Sequence, residues 1–241
     1  MDTTPTRREL LGATARLGGG LVAASTVGMT AFADAAGAAV PAKFPKSPDA
    51  ALRRLMAGNA RFVDGEARNP RRSTRRRVRV AESQKPFAAV LTCADSRVPP
   101  ELVLDQGIGD LFVVRIAGNT GVDPLVVGSL EYSVEVLGSI LVFVLGHSNC
   151  GAVKAAIDVA TKGATLPGDL PAVVAPIIPA VDAVKDRPKD ELLEAATEEN
   201  IRLTMEALSA VALLRDRVAD GSLLISGGEY ELASGKVDLV P

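Results

Sequence analysis

Apolar residues fall in four short unbroken runs, at 87–91, 111–114, 140–145 and 223–225. None alternates apolar with polar positions. Continuous runs of this length suit strands buried on both faces of a parallel sheet. Helical periodicity fills the intervals, at about 124–137, 151–161 and 190–219. Strand and helix in alternation predict an α/β fold, a mainly parallel β-sheet flanked by helices. Upstream, Ser47-Pro48 opens a further helix, with Ser as N-cap and Pro in the first turn. Leu52, Leu55, Met56 and Phe62 give this N-terminal helical arm one apolar face. The Pro-containing stretch 167–188 reads as a cap or link before the last helical segment. There is no internal repeat, and residues 47–241 read as one domain.

The first thirty-five residues have another pattern. Arg7-Arg8 precede a weakly apolar stretch rich in Gly and Ala, and Ala33-Asp34-Ala35 forms a small-x-small cleavage signature. The segment resembles a twin-arginine export signal, with Leu10 where Phe is commonest. It implies an exported protein: periplasmic, in the cell envelope, or secreted. Arg16 and several glycines interrupt the stretch, so no stable membrane span is expected once the signal is removed. Residues 36–46 read as a linker.

Composition narrows the function classes. The 241 residues are 47% hydrophobic and 23% charged, enough for one sizeable core. A formal net charge of −2, six Phe, two Tyr and no Trp argue against a nucleic-acid partner. Seven arginines between 68 and 79 read as a solvated face or linker, or else as an anion-binding patch.

The scarcest residues carry the chemistry. The chain has two cysteines, Cys93 and Cys150, and one histidine, His147. Cys93 follows the first apolar run, His147 follows the third, and Cys150 precedes the next helix. In parallel sheets, sites gather at the carboxyl ends of strands. Two thiolates and an imidazole make a zinc ligand set, and the fourth position must then be carboxylate, water or substrate. In an exported protein, a disulfide between the two cysteines is the competing reading. Cys93-Ala94-Asp95-Ser96-Arg97 adds a carboxylate and a guanidinium two positions apart. Arg97 can hold Asp95 ionised, and Asp95 can accept a proton or ligate a metal; an ordinary turn salt bridge is the alternative.

Cys-x-Asp-Ser-Arg, followed by His-x-x-Cys with its His 54 residues after the first Cys, resembles the β-class carbonic anhydrases. Similar blocks recur at 105–115, 131–132, 146–154, 199–200 and 227–237. The resemblance covers essentially all of 47–241. It implies one zinc per subunit, held by Cys93, His147 and Cys150, with Asp95 as a possible fourth ligand in a closed state. Asp95 and Arg97 become a catalytic dyad. Gln106, Tyr132 and the Gly151 N–H become substrate-binding groups, the first two able to reach across a dimer interface. The implied reaction is reversible hydration of CO2 to bicarbonate and a proton by zinc-bound hydroxide. A homodimer or multiple of dimers is implied. COS or CS2 hydrolysis on the same scaffold, or zinc binding without catalysis, are the rival functions.

Overall fold

The computed structural model of the chain describes residues 44–241. The export signal and nearly all of the linker therefore lie outside the described residues. Five strands form one sheet in the order β2-β1-β3-β4-β5. They are β1 (Ala88–Thr92), β2 (Leu111–Arg115), β3 (Leu141–His147), β4 (Leu224–Tyr230) and β5 (Val237–Val240). The first four are mutually parallel, and β5 returns antiparallel on β4.

Every residue of β1 and β3 is buried, which is why their sequences show no alternation. Successive side chains still face opposite layers. Val90, Phe143 and Leu145 point into a core shared with α1 (Pro48–Val63) and α3 (Pro100–Val103). Leu91, Val142 and Val144 point into a second core, under α4 (Pro124–Glu135), α8 (Leu192–Ala210) and α9 (Ala212–Ala219). Each such fully buried side chain contributes about 1.5–3 kcal/mol relative to exposure.

Ser47 caps α1, its Oγ accepting from the Ala50 N–H, with Pro48 in the first turn. The helical arm lies on the chain's own sheet, with Ala51 and Leu55 fully buried there. Asn59 fixes its far end. Its Nδ2 donates to the carbonyls of Val103 and Gly235, and its Oδ1 accepts from the Val237 N–H.

The arginine run divides. Arg71 and Arg76 turn inward to the fully buried Asp110, which also accepts from Arg54. Arg68, Arg72, Arg75, Arg77 and Arg79 stay exposed, three of them along α2 (Thr74–Arg79). The run is thus part anchor and part solvated face.

Two expectations need correction. The helical pattern at 190–219 is two helices, broken where Val211 turns extended. Leu208 and Leu214 are both fully buried. On one straight helix they would lie about 120° apart around the axis, at 100° per residue. The break returns Leu214 to the core. The Pro-containing stretch is also more than a link. It forms α6 (Leu170–Val174), a 3-10 turn (Ala175–Ile177) and α7 (Ile178–Val184), ahead of α8. Pro171, Pro176 and Pro179 each sit in a first turn, where the missing N–H costs nothing. α5 (Gly151–Lys162) completes the helices.

Candidate metal centre

The chain runs from β1 to the edge strand β2, then crosses back over β1 to β3. This reversal opens a crevice between the carboxyl ends of β1 and β3, the usual place for a site in such sheets. Cys93 leaves β1 and His147 ends β3, so both fall there. Thr92 Oγ1 ties the two strand ends together through the Leu145 carbonyl, at 2.9 Å. Two residues after His147, Asn149 takes a left-handed φ of 58°. That tight turn brings Cys150 back as the N-cap of α5.

The metal-ligating atoms of Cys93, His147 and Cys150 all lie within 4.8 Å of one another, and all three residues are buried. Both thiols are free. His147 Nδ1 lies 2.8 Å from the Ser148 carbonyl, which can only accept, so Nδ1 carries the proton. Its Nε2 is thereby left with a lone pair, buried and without a hydrogen-bond partner. Two thiols and a bare imidazole nitrogen converging at this spacing fit a metal of the zinc type, whose bonds to S and N are about 2.0–2.3 Å. Val153, Ile177 and Val181 wall the cluster, so the Pro-containing segment lines the site.

The three groups act on one another's protons. The Cys93 thiol is pushed down because Cys150 donates to it, and His147 and the Gly118 N–H add to the effect against burial. Cys150, the donor in that pair, is pushed up by the same bond and by burial. Burial opposes charge on His147, but Cys93 and the Ser148 carbonyl outweigh it and raise its pKa.

Asp95 stands at the mouth. Its Oδ1 accepts from the Arg97 N–H and Nε, each at 2.9 Å, and its Oδ2 accepts from Nη2 at 2.7 Å. This bidentate grip holds the Asp95 carboxyl well below the usual carboxylate range. Asp95 Oδ2 also lies 3.8 Å from His147 Nε2, so the carboxylate overhangs the cluster. A Cβ placed on Gly151 would meet nothing within 4 Å, so space is open at the start of α5.

Gln106 and Tyr132 are placed elsewhere. Gln106 is buried, its Nε2 donating to the Leu104 carbonyl and its Oε1 accepting from Arg54 Nε. Tyr132 is half exposed beside Phe112. Both line grooves next to Leu111, on the open edge of β2.

The chain matches the carbonic anhydrase family over residues 88–237. It is 42% identical over 199 residues to carbonic anhydrase 2 of Mycobacterium tuberculosis, covering 80% of this chain and 93% of the relative. It belongs to the β-class carbonic anhydrases. The carbonic anhydrase of Mycolicibacterium smegmatis is 39% identical over 197 residues, 80% of this chain and 93% of that one. The Coccomyxa β-carbonic anhydrase, solved with acetazolamide, superposes with a TM-score of 0.62 at 26% identity, over 78% of this chain and 86% of that one.

The structure adds residues of this β-class carbonic anhydrase to which sequence reasoning gave no role. From the end of β2, Arg115 clamps the Cys93 and Asp95 carbonyls. The Gly118 N–H donates to Cys93 Sγ at 3.4 Å. Their signal was available in position alone, as residues closing the strand beside the Cys93 strand.

Behind the cluster lies an acidic cavity of about 380 Å³. In the sheet register, Glu229 pairs with Gly146 on one side and Asp238 on the other. Glu194 and Glu198 from α8, with Asp190 and Glu231, line the same cavity. Burial, then Glu198, Glu194 and Glu231, push Glu229 up to about 7, with a small opposing pull from His147. A raised carboxyl favours folding most below its unfolded value, and that advantage is lost as pH rises through the folded one. Glu229→Gln is therefore expected to stabilise the protein at pH 8 by about 1–2 kcal/mol, after discounting the shift for partial exposure, and not at about pH 4.5. Urea denaturation at both pH values checks this; an equal effect at both would refute it.

Proposed function

We propose that the chain hydrates CO2 reversibly to bicarbonate and a proton, at one zinc per subunit held by Cys93, His147 and Cys150. Zinc bound there would lower the pKa of a coordinated water and so supply a hydroxide nucleophile near neutral pH. The observation that carries the reading is the buried, partnerless Nε2 of His147 facing two thiols, with an ionised Asp95 alongside. Asp95 accepts a proton at the mouth of the site, Arg97 keeps it ionised and oriented, and the Gly151 N–H faces the substrate. His147 is the chain's sole histidine and its free nitrogen is committed to the cluster, so protons leave on external buffer.

Gln106 and Tyr132 touch no residue of the cluster in their own chain. We assign them to the site of a second copy, across a homodimer built on the edge strand β2. Leu102, Ile108 and Tyr132, all exposed and apolar along that edge, support this. Sedimentation giving a monomer at micromolar concentration would refute it. The segment from Arg7-Arg8 to Ala35 is assigned to twin-arginine export. Arg7→Lys with Arg8→Lys should leave a fused reporter in the cytoplasm, and continued export would remove the assignment. No helix among the described residues is long and apolar enough to cross a membrane.

Stopped-flow CO2 hydration on zinc-loaded protein tests the activity. Two thiolate donors neutralise the charge of a divalent metal, so the rate is expected to rise toward alkaline pH. It should also scale with buffer concentration and vanish on zinc removal. Absence of turnover at every pH with zinc bound would overturn the reading, and COS would be the next substrate to try.

A further inference from the structure

Gly118 lies in the loop that follows β2, with a left-handed φ of 80°. Both sides of this residue are engaged. Its N–H donates to Cys93 Sγ at 3.4 Å, and its carbonyl accepts from Asn200 Nδ2 at 2.8 Å. A Cβ at this position would come within 2.5 Å of Ile177 Cδ1, so the loop is pressed against the wall of the site. Asn200 sits on the inward face of α8, 3% exposed, one turn beyond the buried Thr197. A buried amide left unpaired is costly, so its bond to Gly118 is strongly enforced. Asn200 touches no ligand atom itself.

We propose that Asn200 is a positioning residue: through Gly118 it holds an N–H on the Cys93 sulfur, and so sets how much negative charge that thiolate delivers to a metal. The inference rests on Cys93 being a ligand. Its chemistry is that of outer-shell hydrogen bonds, which withdraw density from a thiolate and orient its lone pairs. Two thiolates cancel a divalent charge, so an N–H on one of them restores part of the metal's Lewis acidity. Cys150 sits at the start of α5, where the Val153 and Ala152 N–H groups pull its thiol pKa down without making a capping hydrogen bond. On Cys93 that role falls to Gly118, a loop residue that needs a brace.

Cobalt(II) substitution makes the sulfur's charge donation visible as a sulfur-to-metal charge-transfer band. Asn200→Leu and Asn200→Asp both remove the donor. Each is expected to move the band to longer wavelength and to lower activity about 10-fold, the low end of outer-shell effects. Thr197→Val, an equally buried change on the same helix, should leave the band in place. A band unmoved in folded Asn200 variants would overturn the proposal. A parent protein that takes cobalt without any such band would instead overturn the ligand assignment. Cadmium-113-loaded parent protein gives a check independent of any variant. Scalar coupling between cadmium and the Gly118 amide proton is expected, and its absence would also count against the proposal.

Discussion

Asp95→Asn is expected to lower CO2 hydration about 100-fold or more, the scale of a lost general base, while zinc content stays unchanged. Both Asp95 oxygens are engaged by Arg97, and Oδ2 overhangs the ligand cluster 3.8 Å from His147 Nε2. An amide has nearly the same shape but cannot accept a proton, and its NH2 faces the N–H groups of Arg97. The three soft ligands are untouched, so the metal stays. Arg97 holds the Asp95 carboxyl well below the usual range, so it remains ionised at every pH where the protein works. The ratio of parent to variant rates should therefore be flat from about pH 6 to 9. Stopped-flow rates and metal analysis on the same samples decide the matter. Normal turnover in the variant would remove Asp95 from the mechanism.

The second large effect separates the metal from the fold. Cys150→Ser is expected to abolish zinc retention and reduce activity to background. Cys150 is 1% exposed and caps α5, yet its side chain makes no capping hydrogen bond. Serine at that position is a favoured N-cap, worth about 1 kcal/mol to a helix. The metal thus loses a thiolate while the helix gains an oxygen. Metal-free parent and variant should melt within a few degrees of each other, and only the parent should be stabilised by added zinc. Zinc at full occupancy in the variant would refute the ligand assignment.

Three strands and the grouping of Cys93, His147 and Cys150 were legible in the sequence because burial on both faces leaves unbroken apolar runs, and because the chain has few soft ligands to choose among. The fourth strand was legible only in its first two residues. Beyond Ile225 it reads Ser226-Gly227-Gly228-Glu229, which carries no apolar signal. Packing explains the small residues. A Cβ on Gly227 would lie 2.7 Å from Ile201, and one on Gly228 would lie 2.8 Å from the Asp238 carbonyl. The α6 and α7 wall was hidden because prolines that open short helices look, in sequence, like prolines that break them. Asn200 and Gly118 fell within reach of the sequence, but not their roles. They act through a backbone N–H and a carbonyl, which have no side-chain signature. The resemblance allowed Gln106 and Tyr132 to reach across a dimer interface, but their place beside β2 depends on which edge of the sheet is open, and no local pattern shows that.

The strand order has a consequence for how the protein is made. β1 bonds to β3 across an intervening β2 and α4, so Cys93 meets its co-ligands only after a long stretch of chain has been synthesised. A chain released only as far as β2 presents Cys93 without His147 or Cys150. Capture awaits the emergence of His147 and Cys150 and the closing of the β1–β3 ladder. Metal loading at these three residues would thus follow a long-range strand pairing rather than any local sequence.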